Sequence, residues 1–380
     1  MNTTKSYLWR LMAGNIAALL SLNAGGTQAI TDAHKAPENS AHPAEFIYSA
    51  NQAAHNVSGY RVDLKNGKLV KLPGSPFTSG RYPVAIAMSP GSRFVYATNQ
   101  GSGTVSAYMI DSDNGNLKPI AGSPFKVGVY PDAITITPNG RYAFITSEND
   151  NIVTSYKVDA SSGTLTQTAA PAPTGEHPIS VTVAPNGQFA FVSNFNDDSV
   201  NAYRIDQRSG ALTPAGQAVK TDMHPIYMSV SKDNRFIYVA NYGTATVSAF
   251  RIDAAAGELS EVTGSPFTAG SQPYSVTVDP TNRFVYVANW GSHNLSAFLR
   301  NEQTGALTEI KGSPYATGWF PYAVVVDPTD DYVYVADNGA GTISAYHMNP
   351  ESGTLSKIPG SPFRTELGPY GLTIGALGAH

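Results

Sequence analysis

The chain is dominated by seven copies of one unit of about 48 residues, which together run from Glu45 to the C-terminus. Each unit opens with an aromatic-x-aromatic-x-x-polar hexapeptide, and successive hexapeptides start 48, 48, 47, 47, 48 and 48 residues apart. A period this regular, with several short strands in each repeat, is typical of the blades of a β-propeller. The hexapeptides are FIYSAN from Phe46, FVYATN from Phe94, YAFITS from Tyr142, FAFVSN from Phe189, FIYVAN from Phe236, FVYVAN from Phe284 and YVYVAD from Tyr332.

Each unit is predicted to supply four antiparallel strands. In the unit from Phe236, residues 236–241 and 246–252 alternate as half-buried strands do, and a shorter run at 259–262 precedes a Gly-Ser-Pro-Phe turn. Because proline has no amide proton to donate, that shorter run should be the outer edge of its sheet. The run after Pro273 has small residues at alternate positions, which suits a crowded innermost strand. The fold class is therefore all-β, a seven-bladed propeller of four-stranded antiparallel blades.

The strand order also predicts how the ring closes. The first unit begins at its second strand, at Phe46, and the last unit ends with an inner-type strand at 369–374. The C-terminal strand should therefore be the inner strand of the first blade. Backbone hydrogen bonds would then join the two chain ends and leave no open edge in the ring.

The first residues do not share the repeat. Residues 1–29 are predicted to be a signal peptide, since Lys5 and Arg10 flank the start of an apolar stretch at 11–22 and Thr-Gln-Ala follows at 27–29. The stretch is shorter than the roughly 20 residues that span a bilayer, so no transmembrane segment should remain after cleavage. Residues 30–44 are polar and aperiodic, a flexible lead-in to a propeller at 45–380. We therefore expect an exported protein, periplasmic or secreted.

Composition excludes several classes of function. The net charge is −4, and the charged residues, 14% of the chain, form no runs, so we expect no nucleic-acid partner. The chain has no cysteine, which excludes disulfides and lipid attachment at cysteine. The closed ring is expected to be a monomer.

Functional residues are best sought where the repeat is broken. The loops that enter the inner strands and those between second and third strands should lie on one face, around the mouth of the central channel. There, Glu148 and Asp197 join three candidate catalytic residues, Asp132, His177 and His224, which could serve acid–base chemistry. An apolar wall that could bind a ring-shaped ligand comprises Tyr82, Tyr130, Tyr242, Tyr274, Trp290, Trp319, Phe320, Tyr322 and Tyr370.

Each group has a structural alternative. His177 and His224 occupy equivalent repeat positions and could instead cap the first turn of the inner strand, and Asp132 could be a solvated carboxylate. The aromatic wall could be ordinary packing above the channel. A divalent metal could bind near Asp132, His177 and His224, although no ligand-spacing motif such as HExxH is present, and no cofactor-binding motif is visible.

The repeats resemble those of a known family. Their YVAN-type second strands, the SAYMID and SAFRID third strands, the GxLT turn and the GSPF tetrapeptides are similar to those of the seven-bladed lactonase-like propellers. That family includes the propeller-type 6-phosphogluconolactonases and the Tyr-Val-Thr-Asn repeat proteins. The resemblance covers about residues 45–380 and implies hydrolysis of a sugar-acid lactone at the channel mouth. It also implies an Arg-His pair at an inner-strand entry, and the entries here read YPVA, YPDA, HPIS, HPIY, QPYS, FPYA and GPYG.

Two functions follow as expectations. In the first, a small lactone is hydrolysed at the mouth, with His177 or His224 as general base, Asp132 orienting the imidazole and backbone amides holding the oxyanion. In the second, the same mouth binds a small molecule or a peptide without catalysis. With Arg81 the only basic residue near the mouth, a phosphate-bearing ligand would lack a clamp.

Overall fold

The computed structural model describes residues 43–377. The predicted signal peptide, and the predicted lead-in up to residue 42, lie outside the described residues, so these two predictions stay untested. Within 43–377 the strands form seven sheets, one for each sequence unit, which confirms the all-β seven-bladed propeller. No helix in this part of the chain is long and apolar enough to cross a membrane. A single 3₁₀ turn, Pro90–Ser92, interrupts the strands there.

Each blade contains an inner, a second and a third strand, followed by an outer edge in two pieces. We number the blades from 1 to 7 in the order of their second strands. From blade 1 to blade 7, the inner strands are Pro369–Ala376, Pro83–Met88, Pro131–Ile136, Pro178–Val183, Pro225–Val230, Pro273–Val278 and Pro321–Val326. The second strands are Glu45–Asn51, Phe94–Asn99, Tyr142–Ser147, Phe189–Asn194, Phe236–Asn241, Phe284–Asn289 and Tyr332–Asp337. The third strands are Asn56–Asp63, Thr104–Ile110, Ile152–Val158, Ser199–Ile205, Thr246–Ile252, Asn294–Arg300 and Thr342–Met348.

The outer edge differs in detail from the single strand predicted. Two short pieces pair with each third strand, and the GSPF/Y turn separates them in the blades that have it. In blade 2, the Ala107 amide donates to the Ser123 hydroxyl of this turn, at 2.9 Å, so a side chain replaces a ladder bond. The first pieces are Lys68–Lys71, Leu117–Pro119, Leu165–Gln167, Leu212–Pro214, Leu259–Glu261, Leu307–Glu309 and Leu355–Lys357. The second pieces are Phe77–Thr78, Phe125–Lys126, Ala172–Pro173, Val219–Lys220, Phe267–Thr268, Tyr315–Ala316 and Phe363–Arg364.

The C-terminal strand closes the ring, as predicted. Pro369–Ala376 pairs antiparallel with Glu45–Asn51, with Ile47 opposite Ile374 and Glu45 opposite Ala376. The Leu377 amide extends this pairing by donating to the Ala44 carbonyl at 2.9 Å. The first and last segments of the propeller therefore share one sheet.

The repeated aromatics connect each blade to the next. Tyr48, fully buried, donates its hydroxyl to the Gly115 carbonyl in the following blade, and Tyr96 donates to Gly163 in the same way. Burying such rings stabilises the fold by about 1.5–3 kcal/mol each. The aromatic repeat is thus a packing device, and the phenols of Tyr48 and Tyr96 also form hydrogen bonds across the blade interface.

The asparagine that ends most second strands also has the structural role predicted. The Asn99 side chain donates to the Thr104 hydroxyl at 3.0 Å and the Ser106 hydroxyl at 2.9 Å, and it accepts from the Gly80 amide at 3.1 Å. One side chain therefore joins the second strand, the third strand and the loop that enters the inner strand of the same blade.

Candidate functional site

The mouth forms where the inner strands begin. In blade 6, Pro273 pairs with Asn289 and Asn289 pairs with Asn294, so the start of the inner strand and the loop between second and third strands share one end of the sheet. The same registers recur in the other blades, which places the variable loops on one face, as the sequence predicts.

The residue before each inner-strand proline has a left-handed backbone. Six of these seven residues are not glycine, although this conformation costs roughly 1–2 kcal/mol for an L-residue. Each carbonyl accepts the amide of the residue just after a second strand; for example, Gln100 donates to Tyr82 and Phe195 to His177, at 2.9 and 3.0 Å. The φ angles are 53° at Tyr82, 51° at Tyr130, 62° at His177, 57° at His224, 51° at Gln272, 56° at Phe320 and 70° at Gly368.

Several amides of these left-handed residues are also engaged. The His177 amide donates to the Asn151 side chain at 2.9 Å, and the His224 amide donates to Asp198 at 2.8 Å. The Tyr82 amide donates to Nδ1 of His55, at 3.1 Å. At these three positions the backbone amides therefore help to hold the loops. The prediction that backbone amides at the mouth bind an oxyanion stays a prediction.

A carboxylate and an imidazole lie together in the ionisable sector. Nε2 of His177 is 2.9 Å from Oε1 of Glu148, and these side chains are only 15% and 3% exposed. The Gln100 amide donates to Glu148 Oε2 at 3.0 Å and reaches Oδ2 of Asp132 at 3.5 Å. Asp132 is 2% exposed, so it is a buried rather than a solvated carboxylate. Glu148 therefore contacts the His177 imidazole, and Gln100 links Asp132 to this pair. The orienting role of Asp132 stays a prediction.

Phe195 lies between the two predicted histidines. Its ring stacks on His224, with centroids 4.4 Å apart and planes 10° apart, and its centroid is 5.8 Å from that of His177. Nδ1 of His224 is 3.1 Å from the Phe195 carbonyl. A neutral His224 that donates from Nδ1 to this carbonyl presents Nε2 as the basic nitrogen.

The aromatic wall is continuous over four blades. Tyr242 contacts Phe195, Tyr274 and Trp290, with centroids 6.0–6.4 Å apart. Trp290 stacks on Phe320 at 4.6 Å with planes 22° apart. Tyr242, Trp290 and Phe320, which come from different repeats, therefore lie side by side. Their role in binding a ligand stays a prediction.

A tyrosine cluster lies deeper than this wall. The rings of Tyr274, Tyr322 and Tyr370 are 4.3–5.8 Å apart, and the hydroxyls of Tyr274 and Tyr370 are hydrogen-bonded to each other. Burial raises the pKa of Tyr274 well above its ordinary value, and the neighbouring phenols and Asp132 raise it further. These phenols therefore stay protonated and can act as hydrogen-bond donors.

Three further predicted wall residues differ in how far they are exposed. Trp319 is 62% exposed, and Tyr82, 42% exposed, packs edge-on against His55 at 4.7 Å. Tyr130 is half-buried at the entry of blade 3. In the ionisable sector, Asp197 accepts the Glu176 amide at 2.7 Å and so helps to hold its loop.

Sequence reasoning missed three residues of the mouth. Gln100 and Phe195 follow the second strand at the same repeat position as Glu148, Tyr242 and Trp290, and comparing that position across all units would have identified them. Tyr227 is the third residue of its inner strand, so a comparison of only the residues next to the inner-strand proline does not reveal it.

The sequence left open a divalent metal near Asp132, His177 and His224. Among residues 43–377 the structure shows no group of three or more His, Cys, Asp or Glu side chains placed to hold a metal ion. The described mouth therefore offers the close Glu148–His177 pair, a looser contact of 3.8 Å between Asp198 and His224, a second buried carboxylate in Asp132 and an aromatic surface.

The comparisons agree with the fold. The family model described as "Lactonase, 7-bladed beta-propeller" matches residues 71–181, 172–275, 227–317 and 258–365. These overlapping matches extend over most of the chain, which therefore belongs to the seven-bladed β-propeller lactonase family. No curated protein matches the chain significantly.

Solved structures with the same fold include three bacterial proteins. A putative 6-phosphogluconolactonase from Bacteroides fragilis has a TM-score of 0.78 and 19% identity, with 90% of this chain and 100% of that chain covered. One from Bacteroides uniformis has a TM-score of 0.77 and 18% identity, covering 88% and 100% of the two chains. The periplasmic gluconolactonase of Pseudomonas aeruginosa has a TM-score of 0.72 and 20% identity, covering 88% and 99%. At these identities the similarity establishes the fold.

Proposed function

We propose that this propeller hydrolyses a small, unphosphorylated sugar-acid-type lactone at the mouth of its channel. The observation that carries the proposal is the Glu148–His177 pair, 2.9 Å apart and largely buried beside an aromatic wall. Membership of the lactonase family supports the reaction class, since both a putative 6-phosphogluconolactonase and a periplasmic gluconolactonase share the fold.

His177 would act as the general base. If Nε2–H donates to Glu148, Nδ1 carries the lone pair that can take a proton from water. The resulting hydroxide attacks the lactone carbonyl and forms a tetrahedral oxyanion. When the ring C–O bond breaks, the imidazolium returns the proton to the leaving alkoxide, and the product is the hydroxy acid.

The chemistry around the pair favours an uncharged substrate. Two carboxylates, Asp132 and Glu148, are almost completely buried near the mouth, and either would repel a phosphate group. The guanidinium of Arg81 is 5.7 Å from the ring centroid of its neighbour Tyr82, at the outer rim. A flat sugar ring can instead stack on Trp290 and Phe320 and donate hydroxyls to the carboxylates.

Hydrolysis of glucono-1,5-lactone, followed by acid release and corrected for the spontaneous reaction, tests the proposal. We expect the double variant His177→Ala/His224→Ala to lose at least about 100-fold in kcat, the scale of general-base catalysis. His347→Ala is the matched control. His347 lies on the third strand of blade 7, where its ring packs against Tyr332 of the second strand. Equal rates in the wild type and the double variant would end the hypothesis.

A specific surface feature favours the second candidate, a non-catalytic binding propeller. Four apolar residues that share one repeat position around the mouth are exposed by 50–66%: Val129, Met223, Trp319 and Leu367. Such a rim fits a peptide or a larger ligand. A ligand that raises the melting temperature without being turned over, and whose effect is lost in Trp319→Ala/Leu367→Ala, would support binding. If the ligand is turned over, and the Trp319→Ala/Leu367→Ala variant turns it over at the wild-type rate, the non-catalytic binding function would be contradicted.

Export and a monomeric state also remain proposals. The basic and apolar pattern of residues 1–29 supports export, and the gluconolactonase of Pseudomonas aeruginosa is described as periplasmic. Mass spectrometry of protein from the periplasm and medium should find a mature N-terminus near residue 30. Recovery of only the full-length chain from the cytoplasm would oppose export, and a dimer in light scattering would oppose the monomer.

A further inference from the structure

One side chain breaks the pattern of residues that line the channel just beneath the mouth. The third residue of each inner strand, counting its proline as the first, borders the central cavity of about 190 Å³. In six blades this residue is small: Ala85, Ala133, Ser180, Ser275, Ala323 and Gly371. In blade 5 it is Tyr227.

The Tyr227 ring reaches towards several other blades. Its centroid is 5.8 Å from that of Tyr274, in blade 6. Burial raises the pKa of Tyr227 well above its ordinary value, and Asp132, in blade 3, and Tyr322, in blade 7, raise it further. Tyr227 also lines the central cavity together with residues from the inner strands of the other six blades, which places it at the channel.

The neighbouring small residues are covered. Ser180 and Ser275, at the equivalent positions in blades 4 and 6, border the cavity but are only 3% and 8% exposed. The Tyr227 side chain, from the blade between them, fills space in the channel that the two small serine side chains leave open.

We propose that Tyr227 is the floor of the mouth and sets how deeply a ligand can enter the channel. The effect on substrate choice rests on the proposed lactonase function, whereas the floor itself does not. Below Tyr227 the channel wall includes Ile134, Val181 and Val324, which could accommodate an alkyl group. With Tyr227 in place, the mouth takes a ring without a long substituent; without it, a tail could extend into the channel.

The repeat itself provides suitable variants. Tyr227→Ser introduces the residue that blades 4 and 6 carry at this position, so the backbone already accepts it there. Tyr227→Phe keeps the ring and removes only the hydroxyl, which separates volume from hydrogen bonding. The melting temperature of each variant reports whether it folds.

The first experiment tests the floor without any substrate. Because the chain has no cysteine, Ser180→Cys creates a single thiol whose reaction with N-ethylmaleimide can be timed. We expect slow labelling in Ser180→Cys and in Ser180→Cys/Tyr227→Phe, and at least tenfold faster labelling in Ser180→Cys/Tyr227→Ser. Equal rates in all three proteins would overturn the floor.

The second experiment tests its consequence. The ratio of kcat/KM for δ-nonalactone to that for δ-valerolactone should rise at least tenfold in Tyr227→Ser and stay near the wild-type ratio in Tyr227→Phe. An unchanged ratio in an active Tyr227→Ser enzyme would overturn the role in selectivity and leave the lactonase function standing. If no lactone is hydrolysed by any protein while the thiol of the Tyr227→Ser background reacts fast, the lactonase function and the selectivity fail but the floor is supported.

Discussion

The polar side chains of the mouth contact side chains that belong to other repeats. His177 is held by Glu148 from the preceding blade, and Gln100, from the blade before that, bridges Glu148 and Asp132. A row of three blades therefore builds one polar cluster. This arrangement makes Glu148 a positioning residue for the imidazole.

Replacing Glu148 tests that positioning role. Glu148→Gln keeps the shape but removes the charge that stabilises the imidazolium, so we expect kcat for lactone hydrolysis to fall about 10- to 100-fold. Asp150→Asn, on the same loop and exposed, is the control and should leave kcat unchanged. Melting temperatures near that of the wild type would separate catalysis from folding, and equal rates in the two variants would contradict the role.

The left-handed residues at the inner-strand entries lead to a prediction about stability. Gln272 has a φ of 51°, whereas blade 1 carries Gly368 at the equivalent position, with a φ of 70°. We expect Gln272→Gly to be tolerated and Gln272→Val to be less stable than it by roughly 2 kcal/mol, because β-branched residues are strained in this region. Denaturant unfolding measures the difference. Val and Gly variants of equal stability would show that the backbone relaxes.

At the scale of the strand, the residue that ends the second strand of blade 7 makes the stability of that blade depend on pH. Blade 7 has Asp337 where five other blades have asparagine, and it accepts hydrogen bonds from Thr342 and Ser344 at 3.0 and 2.7 Å. Burial raises the pKa of Asp337 from 3.8 to about 6. The folded state therefore binds this proton more tightly than the unfolded state, and stability falls as pH rises from about 4 to about 6.

Asp337→Asn should remove this cost. The amide can donate to the same two hydroxyls, as the Asn241 side chain does to Thr246 and Ser248 in blade 5. We expect a gain in unfolding free energy of about 2–3 kcal/mol at pH 8, which should disappear near pH 4, at 1.4 kcal/mol per unit of pKa. Urea unfolding at both pH values measures it, with Asn289→Asp as the reverse control. A gain independent of pH would contradict the mechanism.

At the scale of the molecule, stability depends on the closure of blade 1. Its inner strand, Pro369–Ala376, comes from the C-terminus and pairs with the first strand of the propeller. Removing residues 369–380 would expose the edge of Glu45–Asn51 and open the contact between blades 1 and 2. We expect no cooperative thermal unfolding in that truncation, measured by circular dichroism. A shorter truncation of 378–380 should melt like the full chain, and a near-native melt of the longer one would contradict the closure.

The sequence by itself determined the number of blades, the strand order, the closure and the face that carries the variable loops. It could do so because each of these follows from the period of one unit and from where the chain starts and ends within it. The aromatic wall was also predictable, since Tyr242, Trp290 and Phe320 stand at positions that border the mouth in every repeat. Tertiary structure alone decided that Glu148 contacts His177, and that Tyr227 lines the channel. The physical reason is that periodicity fixes where a residue sits on its own blade, whereas side-chain contacts between blades depend on ring curvature and rotamer, which no single repeat encodes.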